Sequence, residues 1–306
     1  MNTSQSPEFR KRVPGRLQAP PAIVRFALAI VLAVIVNAVV PRICFDLFGN
    51  HVVVADAVYR WAGSGILLAG FLFFSRVVDQ VDGDAWSYIG LPRISAAISQ
   101  ILLGIGLGGL LITIAVVAIR VVGGGRDLHL DLTAKAALRV TEVLLLLLGG
   151  AMLEELLFRG YPFQRLIESI GVPGAIVVLS VFFGAVHLGN PNAGGLWSWG
   201  FLNTLAVGVL FALAYLRTQT LWFPFGIHFG WNFFLGVIYG LPVSGIKDFS
   251  VLIRANAHGP RLLTGGAYGI EGSVTGSIVI LLGILLIELM PKRLISEMRQ
   301  PGASSA

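Results

Sequence analysis

Apolar residues dominate this chain in long runs, which charged, glycine-rich or proline-containing segments separate. Eight such runs cover about residues 23–45, 57–75, 95–119, 137–160, 173–189, 197–216, 221–241 and 273–290. A helix of roughly 20 apolar residues is long enough to cross a hydrocarbon core of about 30 Å. The pattern therefore predicts an all-α, polytopic membrane protein with about eight transmembrane helices.

The composition and charge agree with that fold class. Only 12% of the residues are charged, which is about half the fraction typical of soluble domains. The net charge of +6 would favour nucleic-acid binding in a soluble protein. Here, however, the basic residues cluster beside the first and last spans, as expected for cytoplasmic flanks. They are Arg10, Lys11, Arg12, Arg16, Arg25, Lys292, Arg293 and Arg299. The sequence thus predicts the lipid bilayer as a partner and no nucleic acid.

The same pattern predicts the organisation of the chain. We expect a disordered cytoplasmic tail at 1–22, N-terminal transmembrane helices at 23–136, a catalytic membrane domain at 137–290 and a cytoplasmic tail at 291–306. Eight spans would place both termini on the cytoplasmic side of the cell membrane. In that topology the basic loop at 120–139 would lie outside, against the positive-inside rule. The glycine-rich loop at 242–272 is predicted to cap one mouth of the domain.

Two glutamates and an arginine, Glu154, Glu155 and Arg159, lie inside the fourth apolar run. A charged side chain at membrane depth costs roughly 2.5–3.5 kcal/mol or more, so an intramembrane carboxylate is a candidate functional group. Residues four apart share a helix face. We therefore expect Glu155 to pair with Arg159, which would leave Glu154 free to act as a base towards water.

A helical hairpin would bring a histidine to Glu154. If the fourth helix continues through Pro162 to Glu168 and the fifth begins at Pro173, then Glu154 and His187 each lie 14 residues from the turn. At about 1.5 Å rise per residue, both would lie roughly 21 Å from it and would meet at one level.

A second histidine completes the candidate set. His228 and Asn232 are four residues apart in the seventh run, so both can face one cavity and donate hydrogen bonds to a developing oxyanion. An imidazole can also pass a proton to a leaving amine. Phe183, one turn before His187, would form an apolar wall.

Each of these pairs also has a structural explanation when taken alone. A Glu–Arg pair at this spacing is often a clasp, and an intramembrane histidine often bonds a neighbouring helix. Their co-occurrence at a matching depth favours a site. The remaining polar residues are predicted to be structural, with histidines in loops and the others at helix contacts: His51, His129, His258, Asn203, Glu142 and Glu271.

These residues resemble the three motifs of the CPBP family of intramembrane proteases, the CAAX-protease and bacteriocin-processing (Abi) group. Glu154, Glu155 and Arg159 match EExxxR. Phe183 and His187 match FxxxH, and His228 and Asn232 match HxxxN. The resemblance covers roughly residues 140–240.

The resemblance implies helices around a polar intramembrane cavity and a glutamic endopeptidase similar to CAAX prenyl protease 2, with no cofactor. Its substrates would be membrane-associated proteins or peptides, which are prenylated in the eukaryotic members. It also implies that Glu154 and His187 activate water, that His228 and Asn232 form the oxyanion hole, and that Glu155, Arg159 and Phe183 support them.

Two alternatives stay open at this stage. One is a zinc-dependent intramembrane metalloprotease, with Glu154, His187 and His228 as ligands and water in the fourth position. The other is a membrane scaffold or immunity protein without catalytic activity. A transporter is disfavoured because the sequence shows no repeat symmetry.

Overall fold

The computed structural model describes residues 19–49, 51–92, 96–122, 124–131 and 133–291. Each of the eight predicted runs contains a helix. In chain order, the helices and strands are α1 (Ala22–Phe48), α2 (Val52–Phe73), α3 (Ala85–Tyr88), α4 (Ala97–Val121), β1 (Gly125–Leu130), α5 (Ala134–Arg159), α6 (Tyr161–Val186), α7 (Trp199–Thr218), α8 (Trp222–Phe233), β2 (Ile253–His258), α9 (Arg261–Thr264) and α10 (Val274–Glu288).

The helices confirm an all-α polytopic membrane protein. Within the described ranges, five segments are long and apolar enough to cross a membrane: Ala22–Phe48, Val52–Val78, Ala97–Val121, Ala136–Gly189 and Trp199–Thr218. The fourth segment contains both α5 and α6. Helices α8 and α10 are shorter, with 12 and 15 residues. The predicted tails lie almost entirely outside the described residues.

The turn between α5 and α6 differs from the prediction. Helix α5 ends at Arg159, and Gly160 leaves the helical conformation with ψ −140°. Pro162 lies in the first turn of α6, where its missing N–H breaks no helical bond. The expected continuation of the fourth helix to Glu168 is therefore wrong. A kink at Gly171, whose φ of +78° suits glycine, separates the first part of α6 from the rest.

Helices α4 and α8 pack backbone to backbone through glycines. A Cβ at Gly104 would lie 2.6 Å from the carbonyl oxygen of Phe223 and 2.7 Å from the amide nitrogen of Ile227. On the facing side, Gly226 and Gly230 of α8 contact the backbone of α4. Small residues let helix backbones approach closely in this way. This contact fixes the position of α8, which carries two predicted site residues.

Two predicted loops contain strands. β1 and β2 pair antiparallel, with Gly125 opposite His258 and Leu130 opposite Ile253. His129 and His258 therefore lie in strands, contrary to the prediction, whereas His51 precedes α2. The pairing joins the 120–139 loop to the 242–272 loop at one end of the helices.

Arg25 does not flank the first span as a free, solvent-facing charge. It lies inside α1 and is 3% exposed. Its Nη1 lies 2.7 Å from Asp79 and its Nη2 lies 2.8 Å from Glu168. Asp79 also pairs with Arg165 of α6 at 3.3 Å. This buried network joins α1 to the end of α2 and to the start of α6.

Replacing Gly104 should separate α4 from α8. Gly104→Ala places a methyl group against two backbone atoms of α8, and such overpacking costs about 1–3 kcal/mol. Gly106→Ala is the matched control, because no atom lies within 4 Å of its Cβ. Thermal unfolding in detergent should show a lower Tm for Gly104→Ala alone. Equal Tm values for the two variants would contradict the close packing.

Candidate active site

A cavity of about 560 Å³ lies between the helices. Its walls come from α1, α2, α5, α6, α7 and α8, and from the segment after α8, which confirms that the 242–272 loop closes part of it. Five predicted site residues line it: Glu154, Phe183, His187, His228 and Asn232. Glu155 and Arg159 are buried behind this surface.

Glu154 lies between the two histidines. Its Oε2 is 3.9 Å from Nε2 of His187 and 3.8 Å from Nε2 of His228. Both separations exceed a direct hydrogen bond. Within the described part of the chain, this oxygen is buried and has no hydrogen-bond partner. The side chain as a whole is 25% exposed, so the carboxylate faces the cavity and keeps its lone pairs available.

His187 is oriented by the helix that precedes it. Helix α6 ends at Val186, and Nδ1 of His187 lies 2.7 Å from the carbonyl oxygen of Phe183. A carbonyl oxygen only accepts hydrogen bonds, so we assign the proton of the neutral ring to Nδ1. Nε2 is then left unprotonated on the side of Glu154. The Phe183 ring packs against the imidazole at 4.7 Å between centroids.

Glu155 binds two partners at once. Its Oε1 lies 3.4 Å from Nη1 of Arg159, so the predicted pair is confirmed, and 2.9 Å from Nδ1 of His228. Sequence reasoning missed the second contact. Because Nδ1 donates to this carboxylate, Nε2 of His228 can donate towards the cavity only when the ring carries both protons. Glu155 thus sets the orientation and the tautomer of His228.

The Arg159 side chain is enclosed by aromatic rings. Its guanidinium carbon lies 4.6 Å from the ring centroid of Phe183 and 5.1 Å from that of Phe211. Nη2 donates to the carbonyl oxygen of Gly208 at 3.0 Å. Cation–π contacts and a hydrogen bond replace the water that this charge loses. Phe183 therefore supports Arg159 as well as forming the expected apolar wall.

Asn232 lies one turn beyond His228 on α8, and both side chains reach the cavity. The side chain of Asn232 is partly exposed, and no hydrogen bond of its amide is recorded among the described residues. His228 is near the start of α8, where a side chain could lie close to the protein surface, but it is only 6% exposed. Its ring stacks on Phe211 at 4.9 Å. The two side chains can therefore face one bound group.

The cavity also contains Glu271, which sequence reasoning placed at a helix interface. Its Oε1 accepts from Nε1 of Trp231 at 3.0 Å, and its Oε2 accepts from Oγ of Ser244 at 3.0 Å and from the Ser244 amide. Burial raises the pKa of the Glu271 carboxyl, and these hydrogen bonds act in the opposite direction. In the sequence, only the position of Glu271 directly before the last apolar run indicated that this carboxyl could lie near the cavity.

Asn203 acts as the predicted link between helices. Its Nδ2 donates to the carbonyl oxygens of Glu271 and Ser273, at 2.8 Å each. Its Oδ1 accepts from Oγ of Ser277 at 2.6 Å. Helix α7 is thereby tied to the loop that carries Glu271 and to the start of α10.

In the ranges that the structure describes, no group of three or more His, Cys, Asp or Glu side chains is arranged to hold a metal ion. The set proposed for zinc, Glu154, His187 and His228, places its nearest atoms 3.8–3.9 Å apart. Two ligand atoms at about 2.0–2.2 Å from one tetrahedral zinc ion lie roughly 3.3–3.6 Å apart, so these separations are a few tenths of an ångström longer than ideal geometry requires.

Comparison with known proteins confirms the family resemblance. Residues 136–234 match the family described as "Type II CAAX prenyl endopeptidase Rce1-like". The chain is 33% identical over 94 residues to "Putative membrane peptidase YdiL" of Bacillus subtilis (strain 168). That alignment covers 31% of this chain and 35% of the relative, so the chain spans about a third of the length of that protein. No solved structure matches the chain significantly.

Removing Arg159 should destabilise the protein strongly. Arg159→Ala leaves the fully buried Glu155 without its cation, and breaking a buried ion pair costs about 3–5 kcal/mol. The control is Arg217→Ala, since the Arg217–Glu288 pair is exposed and such pairs contribute about 1 kcal/mol or less. Folded yield and Tm should fall for Arg159→Ala only. Similar losses for both variants would show that burial of the Glu155–Arg159 pair is unimportant.

Proposed function

Because residues 136–234 match the Rce1-like family, we propose that this protein is an intramembrane endopeptidase acting on membrane-associated protein or peptide substrates. One observation carries the proposal. The Glu154 carboxylate lies in a membrane cavity, has no hydrogen-bond partner at Oε2 among the described residues, and faces two imidazole nitrogens. Since a carboxylate is costly at this depth, such an arrangement favours a functional role.

In the proposed mechanism, Glu154 acts as the general base. It removes a proton from water while the oxygen of that water attacks the scissile carbonyl carbon. His187, whose Nε2 faces Glu154, shares this proton and delivers it to the leaving amine. The carbon–nitrogen bond then breaks, and one fragment gains a carboxylate while the other gains an amine.

His228 and Asn232 would stabilise the tetrahedral intermediate. Asn232 can donate from its amide, and doubly protonated His228 can donate from Nε2. Preorganised donors of this kind act on the oxyanion without reorganising solvent. The carboxylate of Glu155, 2.9 Å from Nδ1, holds the ring in the orientation that this role needs. This gives Glu155 a second task besides its pairing with Arg159.

We also propose that the protein resides in the cell membrane with both termini in the cytoplasm. Helices α1 and α10 are the first and last apolar helices, and a cluster of basic residues lies just outside each of them: Arg10, Lys11, Arg12, Arg16, Lys292, Arg293 and Arg299. A C-terminal alkaline phosphatase fusion, which is active only outside the cytoplasm, should remain inactive. An active fusion would reverse the assigned side of the C-terminus.

Replacing Glu154 by Gln should abolish hydrolysis, because the amide keeps the shape of the side chain and loses the base. With purified protein in liposomes and a pool of palmitoylated peptides, we expect turnover to fall at least 100-fold. Tm should stay close to that of the wild type. Turnover retained in Glu154→Gln would remove the general-base role. A control substitution, Glu288→Gln on α10, changes a carboxylate outside the cavity and should leave cleavage intact.

Chelators distinguish the proposed reaction from a zinc-dependent one. Water activation by Glu154 and His187 predicts that peptide cleavage continues after dialysis against 1,10-phenanthroline, with no zinc in the active protein by elemental analysis. Loss of cleavage, and its recovery on adding Zn²⁺, would assign Glu154, His187 and His228 as metal ligands. If wild type and Glu154→Gln bind the peptides equally and neither cleaves, the non-catalytic scaffold becomes the better description.

A further inference from the structure

A second cavity, of about 650 Å³, lies where α4 ends and α5 begins, beside the paired strands. Arg139 in its wall precedes Glu154 by fifteen residues on α5, which is about 22 Å at 1.5 Å per residue. Among the described residues, the two cavities share no lining residue. We call it the basic cavity, after its polar lining of His129, Arg139, Lys247, Asp248, Ser250 and Arg254.

Three cations enter the basic cavity from separate segments of the chain. Arg139 belongs to α5, Lys247 to the loop after α8, and Arg254 to β2. Strand pairing places His129 directly opposite Arg254, so both side chains lie on one face of the sheet. The lining contains one carboxylate, that of Asp248, against these three cations. The fold therefore concentrates positive charge at a place where segments distant in sequence meet.

The three cations lack an ion-pair partner in the part of the chain that the structure describes. There, no hydrogen bond or ion pair of the Arg139, Lys247 or Arg254 side chain is recorded. The charges of both arginines act on the nearby Asp131 carboxylate. Its Oδ1, however, accepts from the amide and the hydroxyl group of Thr133, at 3.1 and 2.7 Å. Like charges that are held together repel one another, so a bound anion would stabilise this arrangement.

A buried hydroxyl group adds a neutral donor to the basic cavity. Ser250 lines the cavity and is 8% exposed. Within the described ranges, no hydrogen bond of its Oγ is recorded, so this hydroxyl can donate to a group in the cavity. A guanidinium group can bind two oxygens of one phosphate, and lysine binds phosphate as a point charge. Two arginines, a lysine and a serine thus form a donor set for a phosphate group.

Exposed apolar residues beside the basic cavity indicate that the phosphate belongs to a lipid. Leu130 follows His129, and Leu138 precedes Arg139, and these two leucines are 65% and 66% exposed. Leu145 is also exposed and lies seven residues after Leu138, on the same face of α5. Acyl chains can cover such a face while the headgroup binds the cations. Basic pockets between transmembrane helices bind anionic headgroups in this way.

We propose that the basic cavity binds the phosphate of an anionic phospholipid headgroup. The segment 240–250 would contact this headgroup through Lys247 and Ser250, while Ser244 and Phe249 of the same segment line the catalytic cavity. Headgroup binding would also explain the basic loop at 120–139, whose charges oppose the positive-inside rule in the expected topology. The inference does not depend on the proposed peptidase function.

The test measures lipid binding by the full-length protein in detergent. Phosphatidylglycerol and phosphatidylcholine with identical acyl chains are titrated separately, and bound lipids are counted by native mass spectrometry. Charge-assisted hydrogen bonds predict a Kd at least about 10-fold lower for one phosphatidylglycerol than for phosphatidylcholine. An excess of inorganic phosphate should not displace that lipid, because a free ion lacks the acyl contacts.

Three variants locate the binding site. Arg139→Gln combined with Arg254→Gln should raise the Kd for phosphatidylglycerol to that for phosphatidylcholine. Lys247→Gln should raise it several-fold, and this change on an exposed loop side chain should leave the Tm unchanged. The matched control is Arg120→Gln, which removes an exposed cation at the end of α4, outside the basic cavity. This control should bind phosphatidylglycerol as the wild type does.

The alternative results each overturn the inference. Equal affinity for the two lipids would show that the cavity does not recognise an anionic headgroup. Unchanged binding of phosphatidylglycerol in folded Lys247→Gln and in the double variant, or an equal loss in Arg120→Gln, would place the lipid elsewhere. Displacement by inorganic phosphate would assign the cavity to a free anion instead of a lipid.

Discussion

The candidate site depends on a single buried carboxylate oxygen. Oε1 of Glu155 accepts from both Arg159 and His228, in a side chain with no exposed surface. An isolated charge would cost several kcal/mol at this position, so the carboxylate and its partners must be present together. Arg159 is held in turn by the Gly208 carbonyl and by aromatic rings. One charged cluster therefore determines how α5, α6, α7 and α8 meet and leaves Glu154 facing the cavity.

Backbone packing supplies the second constraint. Helix α8 can present His228 and Asn232 at the depth of Glu154 only because glycines allow α4 to approach it closely. The helices before the family region also complete the cavity. Arg25 ties α1 to α6 through Glu168, and α2 contributes Arg60. The segment that matches the Rce1-like family thus contains the motif residues, whereas the N-terminal helices and the loop after α8 contribute further parts of the cavity wall.

The parts predicted from sequence are those set by short-range rules. Apolar runs long enough to cross a bilayer predicted the eight helices, and the i,i+4 spacing predicted the Glu155–Arg159 pair. Contacts between distant segments were not predictable, because no local pattern encodes them. His228 reaches Glu155 across 73 positions, and β1 pairs with β2 across a still longer gap, with Leu130 opposite Ile253. Counting residues from the turn correctly predicted that Glu154 and His187 lie close together, although the count assumed that the fourth helix ends at Glu168.

The central claim is that Glu154 makes this membrane cavity a peptidase. It is tested most directly by mapping protein termini by mass spectrometry in membranes of source cells that express wild type or Glu154→Gln at matched levels. The account predicts new carboxyl termini on membrane-associated proteins with the wild type only. Identical termini in the two membranes, with both proteins folded and present, would contradict it.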